Sequence, residues 1–181
     1  MLGFKNANVY VEGKGIVKTD IGFEKGVIAA IGENLAVDEI ATLGDNAVVV
    51  PGFIDEHIHG AGGADAMDGS VEALSKIANA IASEGTTAFL ATTMTQSPEN
   101  ITKALKAVDT YVKLNKDTGA EVLGVHLEGP FISPKHVGAQ PLEYVAKPEV
   151  ATFKKYEEAS GNRIKIVSMA PEQDETGDLI K

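Results

Sequence analysis

From residue 47 onward the chain repeats one grammar four times: an apolar or Thr-rich run, a Gly-rich or polar loop, then a stretch of helical periodicity. The runs predict strands at Ala47–Asp55, Thr86–Thr95, Glu121–Glu128 and Arg163–Ala170. The periodicity predicts helices over about Ser70–Ser83, Pro98–Asn115 and Pro148–Ala159. Helix starts are marked chemically. Ser70 is a plain N-cap, and Ser97-Pro98-Glu99 puts Ser at the cap, Pro at the first helical position and an acid in the first turn. Strands alternating with helices require a parallel sheet, because consecutive parallel strands need a crossover between them. Runs such as Val48-Val49-Val50, Phe89-Leu90-Ala91 and Ile164-Lys165-Ile166-Val167 fit strands that helices cover. Such units either spread into a doubly wound sheet or close into a (β/α)8 barrel, and in both the chemistry sits at the C-terminal strand ends.

A closed barrel takes about 200 residues or more. Residues 51–181 hold about four β/α units, and the chain of 181 residues reaches its last residues, Asp178-Leu179-Ile180-Lys181, where a fourth helix would begin. The expectation is an α/β chain carrying, over residues 51–181, either a partial (β/α)8 TIM barrel or a small four-stranded sheet, with no terminal cap favouring the latter. Residues 1–50 read differently. Asn8 to Val11, Ile16 to Phe23 and Val27 to Ile31 are short β-prone pieces separated by Glu12-Gly13-Lys14-Gly15 and Glu24-Lys25-Gly26. They predict a small antiparallel meander that buries little apolar surface by itself.

Composition narrows the chemistry. There is no cysteine, which removes disulfides, thiolate metal sites and cysteine nucleophiles, so any metal must rely on His and carboxylates. Asp plus Glu outnumber Lys plus Arg by 26 to 16, and the net charge of -10 opposes attraction to nucleic acid phosphates or anionic membranes. The first residues carry no basic segment followed by an apolar one, and the longest near-apolar run, Ala47 to Ile54, is interrupted by Pro51 and Gly52. The expected location is cytoplasmic, with neither nucleic acid nor membrane as partner.

The predicted strands deliver polar groups to one rim. On a strand, residues two apart point the same way, so both imidazoles of His57-Ile58-His59 can reach one ion. The following Gly60-Ala61-Gly62-Gly63 lets backbone approach a ligand, yet it contains neither G-x-x-x-x-G-K-[ST] nor G-x-G-x-x-G for cradling phosphates. In His126-Leu127-Glu128-Gly129-Pro130 the same alternation puts His126 and Glu128 on one side. Glu128 would complete a set of ligands that Zn²⁺, Fe²⁺ or Mn²⁺ accept. Plainer readings stand beside these: histidines bonded to neighbouring loops, and a Glu paired with Lys or Arg. His126 either orients Glu128 or is a core histidine. His136, in the polar loop from Ser133 to Pro141, reads as exposed, while Met67, Met94 and Met169 read as packing.

Two motifs together carry a resemblance. Pro51-Gly52-Phe53-Ile54-Asp55-Glu56-His57-Ile58-His59-Gly60 resembles the amidohydrolase superfamily broadly. His126-Leu127-Glu128-Gly129-Pro130-Phe131 with Gly138-Ala139-Gln140-Pro141 is similar, within it, to the N-acetylglucosamine-6-phosphate deacetylase family over the N-terminal half of that family's length. The resemblance implies a barrel beside a small β-sandwich, to which residues 1–50 contribute. It implies a cytoplasmic homodimer that hydrolyses the acetamide of a small amino-sugar phosphate. It also implies a divalent metal, Zn or Fe, as one or two ions: Glu128 and two later histidines hold one position, while His57 and His59 serve a second. Ala139 and Gln140 are the implied sugar contacts. No catalytic residue is implied within the chain, since the acid/base Asp belongs beyond Lys181, and residues 1–181 are expected to turn over little alone. Two readings compete: a non-catalytic half-barrel that pairs its open sheet edges, and a hydrolase of cyclic amides or ureas. The Leu-Glu-Gly-Pro motif, and the lack of a strand-end Lys able to bridge metals, speak against the last.

Overall fold

The computed structural model describes residues 1–114 and 119–181. They form two units, Met1–Pro51 and Gly52–Lys181.

In the first unit, β1 (Leu2–Val11), β2 (Gly15–Glu24) and β3 (Val27–Gly32) form the antiparallel meander that the turn signals predict. Two further pieces, β4 (Asp38–Glu39) and β5 (Val48–Val49), run parallel to β1 along its other edge. Pieces of two residues show no period, so they leave no pattern in the sequence. The register of β1 shifts between Phe4 and Ala7, where Asn6 takes φ 49°. Asp20 holds this irregularity: its carboxylate accepts the Asn6 N–H at 2.8 Å and the Leu35 N–H at 3.0 Å. The Asn6 bond is the main reason that the Asp20 carboxyl sits below its ordinary range. Ala7, Val9 and Ile21 are the buried centre, packed by Phe4, Val11, Phe23, Leu43 and Val49.

The second unit is α/β. Its strands are β6 (Phe53–Ile58), β9 (Thr86–Thr92), β10 (Glu121–Glu128) and β11 (Ile164–Ser168), and its helices are α1 (Val71–Ala82), α2 (Pro98–Leu114) and α3 (Val150–Ala159). A short hairpin, β7 (Gly60–Ala61) with β8 (Ala64–Asp65), follows β6. The four long strands form one parallel sheet in the order β11-β10-β9-β6. Ser70 Oγ caps α1 at the Ala73 N–H, and Ser97 Oγ caps α2 at the Asn100 N–H, as the cap residues predict. The apolar stripes of both helices lie in the core: Leu74, Ile77 and Ile81 from α1, Ile101, Leu105 and Val108 from α2. These pack around Phe89, Val125, Leu127 and Phe131, and Met67 and Met169 lie against the same cluster. Each such side chain contributes about 1.5–3 kcal/mol of burial.

Several boundaries differ from the sequence reading. The run Ala47–Asp55 is two elements, because Val48–Val49 pairs with β1 while Phe53–Ile58 enters the parallel sheet. Pro51 brings no N–H to a ladder, and Gly52 lies so close to β9 that a Cβ there would stand 2.0 Å from Thr87 Cγ2. Helix α3 starts at Val150 rather than Pro148, since Glu149 remains extended as the N-cap. No α-helix follows β11 among the described residues. Asp174 instead closes a turn by accepting the Leu179 and Ile180 N–H groups. The predicted end of the second helix at Asn115 lies outside the described residues. Asp109 on α2 ties the far end of this unit together, bonding Lys113 Nζ at 2.6 Å and Arg163 Nε at 3.2 Å. The Lys113 bond is foremost in holding the Asp109 carboxyl below its usual range. No helix among the described residues is long and apolar enough to cross a membrane.

Candidate metal centre

All four parallel strands end on one side of the sheet, and the polar rim follows from that. Ile58 points into the core, so the period of two turns His57 to the opposite face of β6. His59 stands just beyond the strand end, and Glu128 is the last residue of β10. Their ligating atoms converge: Glu128 Oε2 lies 2.9 Å from His57 Nε2 and 3.1 Å from His59 Nε2, and the two Nε2 atoms are 3.4 Å apart. The structure thus brings His57, His59 and Glu128 to one point.

Main-chain and hydroxyl groups fix how these side chains are presented. His59 Nδ1 lies 3.2 Å from the Thr92 carbonyl oxygen. A carbonyl only accepts, so Nδ1 carries the hydrogen and Nε2 faces the cluster. With its one hydrogen at Nδ1, the ring turns an Nε2 lone pair toward a carboxylate oxygen. Nε2 and Oε2, 3.1 Å apart, can be joined by a proton on Nε2 or can both face one cation. Two imidazole nitrogens with one carboxylate oxygen form a donor set that suits Zn²⁺, Fe²⁺ or Mn²⁺. The residues present therefore fit a divalent first-row metal. Thr92 acts twice, because its Oγ1 also accepts the Ile58 N–H at 3.0 Å and so holds the strand between the two histidines. Asp55 accepts the His57 N–H at 3.0 Å.

His126 does not reach Glu128. Its Nδ1 donates to the Glu56 carbonyl oxygen at 3.0 Å, its Nε2 lies 2.8 Å from Ser168 Oγ, and its ring stands edge-on to His57 with centroids 4.8 Å apart. It is a buried histidine with both nitrogens satisfied, and it supports β6 rather than orienting the carboxylate. His136 is exposed, and so is Ala139. Gln140 is half-buried and hydrogen-bonds Glu128 Oε1 at 2.9 Å. Thr92 and Ser168 are the supporting residues that sequence reasoning did not single out. The polar strand ends Thr92-Thr93-Met94-Thr95 and Ser168-Met169 were the available signal.

A parallel α/β sheet presenting a His-x-His pair and a glutamate at its strand ends defines a class of metal-dependent hydrolases. The chain belongs to the amidohydrolase family, whose model matches residues 48–176. Its particular relatives are amino-sugar deacetylases. The chain is 47% identical over 138 residues to N-acetylglucosamine-6-phosphate deacetylase of Bacillus subtilis, covering 75% of this chain and 35% of the relative. It is 41% identical over 155 residues to the protein of that name from Lysinibacillus sphaericus, covering 85% and 40%. The crystal structure of N-acetylglucosamine-6-phosphate deacetylase from Thermotoga maritima superimposes with a TM-score of 0.80 at 28% identity, covering 99% of this chain and 45% of that one. The chain thus spans less than half the length of these relatives.

Proposed function

We propose that residues 1–181 form part of a deacetylase that hydrolyses N-acetylglucosamine 6-phosphate to glucosamine 6-phosphate and acetate. The observation that carries this reading is the convergence of His57 Nε2, His59 Nε2 and Glu128 Oε2 at the strand ends. Similarity to deacetylases of that substrate supports its finer part. In this reading residues 51–181 are the first half of a (β/α)8 barrel, and residues 1–50 are a portion of a β-sandwich. The protein is a cytoplasmic homodimer.

One or two divalent ions, Zn or Fe, are held by Glu128, His57 and His59, with further ligands from later strands. Such an ion, when bound, makes a water nucleophilic near neutral pH and draws electron density from the acetyl carbonyl. The chain's own residues do the rest that is assigned to them here. His59 keeps its Nε2 turned inward through the Thr92 carbonyl, and Glu128 supplies the negative charge that retains the cation. Ala139 and Gln140 border the sugar. The proton that the departing amine requires comes from an Asp outside residues 1–181.

Acetate release from N-acetylglucosamine 6-phosphate, with and without added Zn²⁺ or Fe²⁺, tests the reading. The expected result for this chain alone is cation uptake that His59→Ala weakens, with little or no acetate. Full-rate turnover would overturn the assignment of the acid to residues outside the chain. Failure to take up either cation would overturn the metal centre itself.

A further inference from the structure

Glu128 has two oxygens, and only Oε2 faces the histidines. The other is occupied by a residue twelve positions later. Gln140 Nε2 donates to Glu128 Oε1 at 2.9 Å, and Gln140 Oε1 accepts the Thr95 N–H at 2.9 Å. Both partners are single-purpose: a backbone N–H only donates and a carboxylate only accepts, so the amide has one orientation. Two successive turns bring it there, closed by the His136 N–H to the Ser133 carbonyl and the Gln140 N–H to the Val137 carbonyl. Room for it comes from Gly129, at φ 70°. A Cβ at that residue would stand 3.1 Å from Gln140 Oε1 and 2.0 Å from Thr95 Oγ1.

We infer that Gln140 is a positioning residue for the metal centre. By tethering Glu128 Oε1 to the end of β9, it fixes the carboxylate with Oε2 facing His57 and His59. This rests on the reading of His57, His59 and Glu128 as cation ligands, and it adds to Gln140 a role distinct from bordering the sugar. Without the tether, the carboxylate is free to rotate or to swing away from the histidines. Partners of this kind typically change metal affinity by about 10–100-fold.

The test uses Co²⁺ added to this chain, with affinity taken from titration and coordination from the visible absorption bands, whose intensity depends on the number of ligands. Gln140→Met keeps the length and removes both hydrogen bonds. Gln140→Glu keeps the shape and the acceptor for Thr95 but removes the donor, and it carries the test where the Met variant loses its far-UV circular dichroism. The expected result is Co²⁺ affinity lowered by about 10–100-fold with altered band intensity. Gln140→His retains one donor and one acceptor and should stay within about threefold of wild type. Wild-type affinity and spectrum in a folded Met or Glu variant would overturn the inference and leave the metal centre standing. Absence of Co²⁺ uptake by the wild type, beyond that of a His57→Ala/His59→Ala/Glu128→Ala variant, would overturn both.

Discussion

Along β9 of the second unit, Ala88, Phe89, Leu90, Ala91 and Thr92 are all buried, whereas β3 of the first unit leaves Val27, Ile28 and Ile31 exposed. In the β/α unit the chain between strands is helical, and α1 and α2 return their apolar stripes to the sheet they connect. In the N-terminal unit β1, β2 and β3 are joined by tight turns, so these connections bring no helical layer. One face then gathers Ala7, Val9 and Ile21, and apolar side chains such as Ile16 at 61% and Val27 at 63% stay outside. The difference teaches that connection type, more than strand composition, decides whether a strand of this chain gains a covering layer, although the edge strand β6 still leaves Phe53 and Ile54 exposed.

Core truncation should separate the units most strongly. Phe89→Ala is expected to destabilise the β/α unit by about 3–5 kcal/mol in urea unfolding. In the N-terminal unit Ile21→Val should cost about 1 kcal/mol, while Val27→Thr on the exposed face should stay within about 0.5 kcal/mol. A Val27→Thr loss as large as that of Ile21→Val would show that the exposed face is covered in solution. Glu128→Ala sharpens the contrast from the side of the site. Zn²⁺ affinity by competition with a chromophoric chelator should fall at least about a hundredfold, while unfolding in metal-free buffer stays near wild type.

The smallest effects are electrostatic and concern one carboxylate in each unit. Asp109→Asn is expected to cost about 1 kcal/mol at pH 7. Because the folded-state pKa of Asp109 lies below the ordinary 3.8, its contribution is complete above that value and disappears as pH falls through the lower folded one. The gap between wild type and variant should therefore close below about pH 4. Asp20 is shifted in the same direction, chiefly by main-chain N–H donors that an Asn oxygen can also satisfy, so Asp20→Asn should lower the melting temperature less than Asp109→Asn, with the same acid closure. A larger loss for Asp20→Asn would mean that the Asn6 irregularity depends on a charged acceptor more than burial suggests.

Much of this was legible beforehand. The period of two put His57 and His59 within reach of one another, and the end of the Glu121–Glu128 run placed Glu128 at the same rim. Strand and helix identities followed from apolar runs and caps. The break at Pro51-Gly52 was visible as residues but not as a change of sheet, because Val48-Val49-Val50 suits either partner equally. The fate of His126 was open for a different reason: its Nδ1 bonds the Glu56 main chain, and a carbonyl acceptor has no residue type to betray it. The Gln140 tether required the path of a loop, which periodicity does not encode.

That reliance on main-chain atoms has a consequence for how the centre drifts over evolutionary time. The groups that fix His59, His126 and the far end of Gln140 are the Thr92 carbonyl, the Glu56 carbonyl and the Thr95 N–H. No point substitution deletes a carbonyl, and only proline removes an N–H, so these supports are insulated from neutral mutation at their own positions. The bond between Gln140 and Glu128 joins two side chains. Like the bond between His126 and Ser168 it is exchangeable, and it is therefore a place where related sequences can retune cation affinity by a single codon change without touching a ligand.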